Sequence, residues 1–277
     1  MPFRPCHIPR LTAEQARLAA ERAQAENPHR WPAHVTPAFL AVERRSWWGD
    51  KGKKFGVAFA KGTAPAMVDR VLAEANKWGQ FANVEFVRDS TNPIVRIGFQ
   101  RGDGHWSYLG TDILGIPAGQ RTMNLELSSR DSDAEFERVV VHEFGHTIGC
   151  PHEHMRPELV ARIDVRKAER YFQRTQGWDA RTVREQVLTP ISERSLFGTE
   201  HSDEESIMCY MLPGEITVDG KPIRGGNRIN ANDAAFIATI YPKPGLPPVV
   251  PIPEGEGNYA DVVISGRKLR ITDMGAA

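Results

Sequence analysis

The sequence predicts an α+β fold, and three observations carry that prediction. After an N-terminal helix come a strand, a helix and four short strand candidates, and the remaining chain is helix and coil, with no regular alternation of strand and helix. The strand candidates are short and separated by turn residues. A long apolar helical pattern, 133 to 148, follows the strands and stops at a glycine.

Taken in order, "LTAEQARLAAERAQAEN", 11 to 27, is Ala-rich and reads as a helix. Thr12 is placed to cap it, with Gln15 as the reciprocal partner, and Pro28 marks its end. Its weak apolar pattern predicts a position outside the main core. "KFGVAFA", 54 to 60, is a strand, and 64 to 81 carries apolar residues at helical spacing. "NVEFVRD", "PIVRIGF", "HWSYLGT" and "RTMNLEL" are the four further strands. After the helix at 133 to 148 come helices in "RIDVRKAERYFQR", "DARTVREQVL" and "NDAAFIATIY". The Pro-rich 242 to 257 is a linker by composition, and the last 20 residues form a hairpin or a tail. The expected organisation is an N-terminal extension or pro-segment at 1–50, a catalytic domain at 51–243 with its cleft near 152, and a linker and tail at 244–277.

Composition excludes several function classes. Lys+Arg and Asp+Glu both number 35, so no bulk charge draws the chain to nucleic acid or an anionic membrane. No apolar run is long enough for a membrane-spanning helix. The first residues, "MPFRPCHIPR", lack the apolar core of a secretory signal. The expectation is a cytoplasmic chain, or one exported without such a signal, unless a leader has been removed. Three cysteines, Cys6, Cys150 and Cys209, make no disulfide framework.

The chemistry is concentrated in "VVVHEFGHTIGCPHEHMRPE", 139 to 158. Residues four apart share a helix face, so His142 and His146 can point both imidazoles at one metal ion. Glu143 falls beside that metal, where a general base for a metal-held water belongs. On a continuing helix His152 would lie about 9 Å further along and on another face. Gly149 ends the helix by accepting a left-handed conformation, Pro151 prevents its resumption, and the chain can return His152 as third ligand. Three neutral imidazoles suit one catalytic Zn2+ with an open position. "EESIMCYML" then supplies a downstream methionine turn, with Met208 as an apolar floor under the imidazoles.

These residues resemble the astacin family of metzincin zinc metalloproteases. "HEFGHTIGCPHEHMR" is similar to the family pattern HExxHxxGxxHExxR, "SIMCY" to its Met-turn, and "GDGHWSYLG" to one of its strands. The resemblance covers roughly 54 to 243 and points to a divergent, bacterial-type branch. It implies a metzincin fold: a mixed, twisted N-terminal sheet with a backing helix and an active-site helix, above an irregular C-terminal part. It implies a zinc endopeptidase acting on protein or peptide substrates. His142, His146 and His152 would hold zinc, Glu143 would act as base, and Tyr210 would be a resting ligand that swings to stabilise the oxyanion. Glu153 would tie to the freed N-terminus of a mature enzyme, and "RTMNLEL" would be the edge strand to which substrate adds. Cys6 and Asp50 are candidate latency ligands.

Departures are visible too. His105 stands where the strand pattern has cysteine, Cys209 replaces the histidine after the Met-turn methionine, and "RPELV" replaces an acidic continuation. Cys150 and Cys209 read as small buried residues. The competing functional reading is a latent or non-catalytic zinc-binding module.

Overall fold

The computed structural model describes residues 6–27, 42–49, 51–192, 196–197, 202–245, 259–264 and 267–272. Asp50 and most of the Pro-rich linker lie outside the described residues. The strands are β1 (Cys6–His7), β2 (Val42–Glu43), β3 (Lys53–Phe59), β4 (Val84–Arg88), β5 (Val95–Gly98), β6 (His105–Ser107), β7 (Met123–Asn124), β8 (Leu196–Phe197), β9 (Tyr259–Ile264) and β10 (Arg267–Thr272). The helices are α1 (Ala13–Glu26), α2 (Pro65–Ala75), α3 (Trp78–Phe81), α4 (Asp133–Thr147), α5 (Pro157–Val160), α6 (Val165–Gln176), α7 (Ala180–Val183) and α8 (Ala231–Ile240).

Six strands form one mixed sheet in the order β1-β6-β7-β5-β3-β4. β4, β3, β5 and β7 run parallel, β6 turns back antiparallel to β7, and β1 lies parallel to β6. The upper core joins this sheet to α2 and α4. Phe55 stacks on Phe86 at 5.0 Å, and Phe86 meets the edge of Phe144 from α4 at 4.7 Å. These rings are buried, and burying a large apolar side chain contributes about 1.5–3 kcal/mol. A second, smaller core below includes Leu159, Ile163, Phe172, Val183, Val187 and Leu212. The remaining strands pair as β2 with β8 and as the hairpin β9–β10.

Two expectations are corrected by the structure and one is refined. The helical pattern over 64 to 81 is two helices, because Asn76 caps α2, its side-chain amide donating to the Leu72 carbonyl at 2.9 Å and also reaching β4. Its amide donates to the Phe86 carbonyl at 2.8 Å and accepts from the Phe86 N–H at 2.9 Å. The N-terminal helix has the predicted Thr12–Gln15 capping box and lies outside both apolar clusters, as its weak pattern predicts, yet it is docked. Ala19 and Ala23 are buried, and α1 packs against the 3-10 turn Gly110–Gly115. The approach needs Gly115, where a Cβ would stand 2.3 Å from the Gln15 carbonyl oxygen. Finally, "RTMNLEL" is not the sheet edge. Only Met123–Asn124 pair, between β5 and β6, so β6 is the outer strand and β1 covers it.

Candidate active site

Helix α4 carries the first two histidines and is fixed at both ends. The Ser132 side chain caps its start by accepting from Glu135 N–H at 3.3 Å. Phe136, Val139, Val140 and Phe144 anchor its apolar face. At the other end the exposed carbonyls of a helix terminus need donors. Trp48 Nε1 donates to the Thr147 carbonyl at 2.7 Å, and Tyr241 Oη to the Ile148 carbonyl at 2.6 Å. Gly149 has φ +97°, the left-handed conformation its position required. His152 returns to the metal position, and the next N–H, of Glu153, donates to the Met208 carbonyl at 2.9 Å.

The three imidazoles converge. His146 and His152 bring their Nε2 atoms to 3.1 Å. His142 Nδ1 lies 2.7 Å from the Ile207 carbonyl and His146 Nδ1 lies 2.7 Å from the Cys150 carbonyl. A carbonyl only accepts, so both Nδ1 atoms carry the proton and both Nε2 atoms offer lone pairs inward. Burial disfavours the imidazolium, holding His142 and His152 well below the ordinary histidine range and His146 at about 4. Neutral, buried, oriented imidazoles are the donor set zinc takes.

The fourth donor comes from the N-terminal strand. Cys6 Sγ lies 3.1, 3.4 and 2.9 Å from Nε2 of His142, His146 and His152. All four donor atoms fall within 4.8 Å of one another, in a buried cluster that fits a tetrahedral zinc site of one sulfur and three nitrogens. Tyr210 donates its hydroxyl to the Cys6 carbonyl and lies 3.4 Å from Cys6 Sγ. Glu143, beside this cluster, has its Oε2 buried without a partner among the described residues and is pushed up to about 8 by burial.

The methionine turn packs against α4. Met208 is fully buried. A Cβ on Gly145 would stand 2.3 Å from its Sδ, so the glycine of HEFGH is what lets the sulfur approach the helix. Asp233, at the start of α8, holds the turn: it accepts from Ser206 Oγ at 2.7 Å and Ile207 N at 3.0 Å. The same turn presents the Ile207 carbonyl to His142. Glu153 is buried beside it, accepting from Asp203 N–H at 3.1 Å and lying 3.5 Å from Arg156 Nη1. Cys150 and Cys209 are buried, as their small size predicts.

Sequence reasoning missed three contributors. His154 stacks on Tyr210 at 4.2 Å and 12°, and its place two residues after His152 was the available signal. Asp233 announces itself only as part of the α8 capping box. Gln186, on a π-helical turn at Arg184–Leu188, accepts the Ile8 N–H at 3.3 Å and carries no local signal.

Comparisons with known proteins agree with this geometry. The family model for the astacin peptidases matches residues 43–210. Two solved structures of myroilysin are similar. One has 32% identity, covers 73% of this chain and 98% of its own, with TM-score 0.69. The other has 30% identity over 72% and 86%, with TM-score 0.56. The hatching enzyme zinc-protease of Oryzias latipes, the medaka fish, is 15% identical over 73% of this chain and 96% of its own, with TM-score 0.45. No curated protein sequence matches. With the family model spanning most of the chain and a relative above 30% identity along nearly its whole length, the chain belongs to the astacin family of zinc metalloproteases.

Proposed function

We propose that this protein is a zinc-dependent endopeptidase held latent by its own N-terminal strand. The observation that carries the reading is the position of Cys6. Its thiol sits at the histidine cluster and its carbonyl receives the Tyr210 hydroxyl, so one residue occupies both the metal position and the oxyanion donor. Bound there, zinc supplies Lewis-acid polarisation of a peptide carbonyl and makes a water acidic enough to attack near neutral pH. His142, His146 and His152 hold it. Glu143 takes the proton of the attacking water and passes it to the leaving amine. Tyr210 donates a hydrogen bond to the oxyanion that forms. β6 offers its outer edge to an extended protein or peptide once β1 leaves.

Of the two latency candidates, Cys6 is favoured because it lies at the cluster, while Asp50 falls outside the described residues. The test is casein hydrolysis by full-length, zinc-loaded protein. The unaltered chain hydrolyses slowly, Cys6→Ala raises the rate at least tenfold, and Glu143→Ala in that background abolishes it. Equal rates with and without the thiol refute latency through Cys6. Hydrolysis that survives Glu143→Ala refutes the mechanism.

A further inference from the structure

The N-terminal strand is gripped along both edges, and the second edge identifies a residue that no motif marks. In an extended chain the main-chain groups of successive residues face opposite edges. Cys6 and Ile8 therefore share one edge and His7 uses the other. The contacts follow this alternation. Cys6–His7 pair with β6 on the upper side. Below, Tyr210 donates to the Cys6 carbonyl, and the Ile8 N–H donates to Gln186 Oε1 at 3.3 Å. The lower wall is thus set to meet main-chain groups two residues apart.

Gln186 is held for this task by its surroundings. Its neighbour Val187 is buried in the lower core. The π-turn is closed by Thr189, whose N–H and hydroxyl both reach the Arg184 carbonyl, at 2.8 and 2.7 Å. π-turns inside helices occur frequently at functional sites. The Gln186 carbonyl lies 3.1 Å from His154 Nε2, and His154 in turn stacks on Tyr210. Gln186, His154 and Tyr210 form one continuous row along the cleft floor.

We infer that Gln186 is a substrate-positioning residue: its side-chain amide binds the main chain of an extended peptide two residues from the residue held at Tyr210. The inference rests on the endopeptidase reading and adds a subsite to it. A carboxamide fits the role because it both donates and accepts. It takes the N–H of Ile8 now, and by turning over it takes a carbonyl from a peptide running either way along β6. Recognition is of main chain, not side chain, so the ligand class is any extended peptide long enough to reach it.

The experiment uses the full-length, zinc-loaded chain carrying Cys6→Ala and Glu143→Ala, so that peptide binds and is not cut. Fluorescence anisotropy gives Kd for a labelled peptide of about eight residues, roughly 27 Å when extended, and for versions shortened from either end. Gln186→Leu weakens the long peptide about fivefold to tenfold, the loss expected for one hydrogen bond, and leaves unchanged the version that ends short of the subsite. Loosening of the N-terminal strand would shift every peptide alike, so a uniform shift, or none, overturns the inference. So does failure of every peptide to bind. The endopeptidase reading is judged separately: with Glu143 restored, a bound long peptide that is never cleaved counts against that reading and not against the subsite.

Discussion

Gly145→Ala is the sharpest probe of the packing under the histidines, because its sign depends chiefly on one side chain, Met208. In a helix, alanine is more favourable than glycine by about 0.5–1 kcal/mol. On an open helix face the change would therefore stabilise. Here the new Cβ would stand 2.3 Å from Met208 Sδ, 3.0 Å from Met208 Cε and 3.2 Å from Trp78 Cζ2. Carbon contacts are optimal at about 3.5–4.0 Å, so the sulfur must move by more than about 1 Å. It has nowhere easy to go, since Met208 and Trp78 are both fully buried. Overpacking of this kind costs about 1–3 kcal/mol, which exceeds the helical gain. The expected outcome is net destabilisation of about 1–2 kcal/mol in urea unfolding of the zinc-loaded chain. Met208→Ala costs about 2–5 kcal/mol by itself. In that background the methionine clash is gone and only the 3.2 Å contact with Trp78 Cζ2 remains, so Gly145→Ala should instead stabilise, by up to about 0.5–1 kcal/mol. The double-mutant cycle thus predicts a reversal of sign. Effects that add to within about 0.5 kcal/mol would refute the reasoning.

Tyr210→Phe removes a hydroxyl and keeps the ring stacked on His154, so zinc content is retained while kcat of the Cys6→Ala chain falls about 10²–10³-fold; steady-state peptide kinetics read it. Asp233→Ala leaves Ser206 Oγ, Ile207 N and Asn230 N without their acceptor, at about 1–3 kcal/mol for each donor that stays buried. Because the Ile207 carbonyl orients His142, zinc affinity falls about 10–100-fold as well, measured by competition with a chromophoric chelator. Removing zinc lowers the unfolding temperature, since a ligand present at about 1,000 times its Kd contributes roughly 4 kcal/mol; differential scanning fluorimetry with and without chelator checks it.

The parts of the site legible in the sequence are those whose cause is local. His142 and His146 are one helical turn apart, and Gly149 must take a left-handed φ if His152 is to return, which it does at +97°. The unread parts depend on residues far apart in the chain. Cys6 is legible as a candidate latency ligand, but 136 positions separate it from His142, and only the pairing of β1 on β6 brings the thiol to the cluster. The sheet edge was misassigned for the same reason. "RTMNLEL" has strand composition, but strand order is set by which neighbour each strand finds, and β6 folds back outside β7. The break at Asn76 belongs to the same class, because its side chain answers to β4 as well as to the Leu72 carbonyl of its own helix. Trp48 and Tyr241, distant from each other in sequence, each donate to a carbonyl at the C-terminal end of α4, a role that no local pattern marks.

Latency through Cys6 requires more than a good ligand, because substrate competes for the same groove. An intramolecular ligand competes at an effective concentration that a short tether raises to about the millimolar range. Only residues 8–12 separate β1 from α1, and both are docked, β1 on β6 and α1 on the turn Gly110–Gly115. The strength of inhibition should therefore depend on a helix that touches no catalytic residue. Gly115→Ala tests this. Its Cβ would meet the Gln15 carbonyl oxygen at 2.3 Å and Ala19 Cβ at 3.1 Å. A backbone oxygen cannot swing aside as a flexible side chain does, so α1 must lift. Lifting it lengthens the tether and lowers the local concentration of the thiol. Casein hydrolysis by the otherwise unaltered chain should rise several-fold, whereas in the Cys6→Ala background the same substitution should change little. A rise of equal size in both backgrounds would mean that α1 restrains the cleft without acting through Cys6, and no rise in either would mean that β1 holds its place unaided.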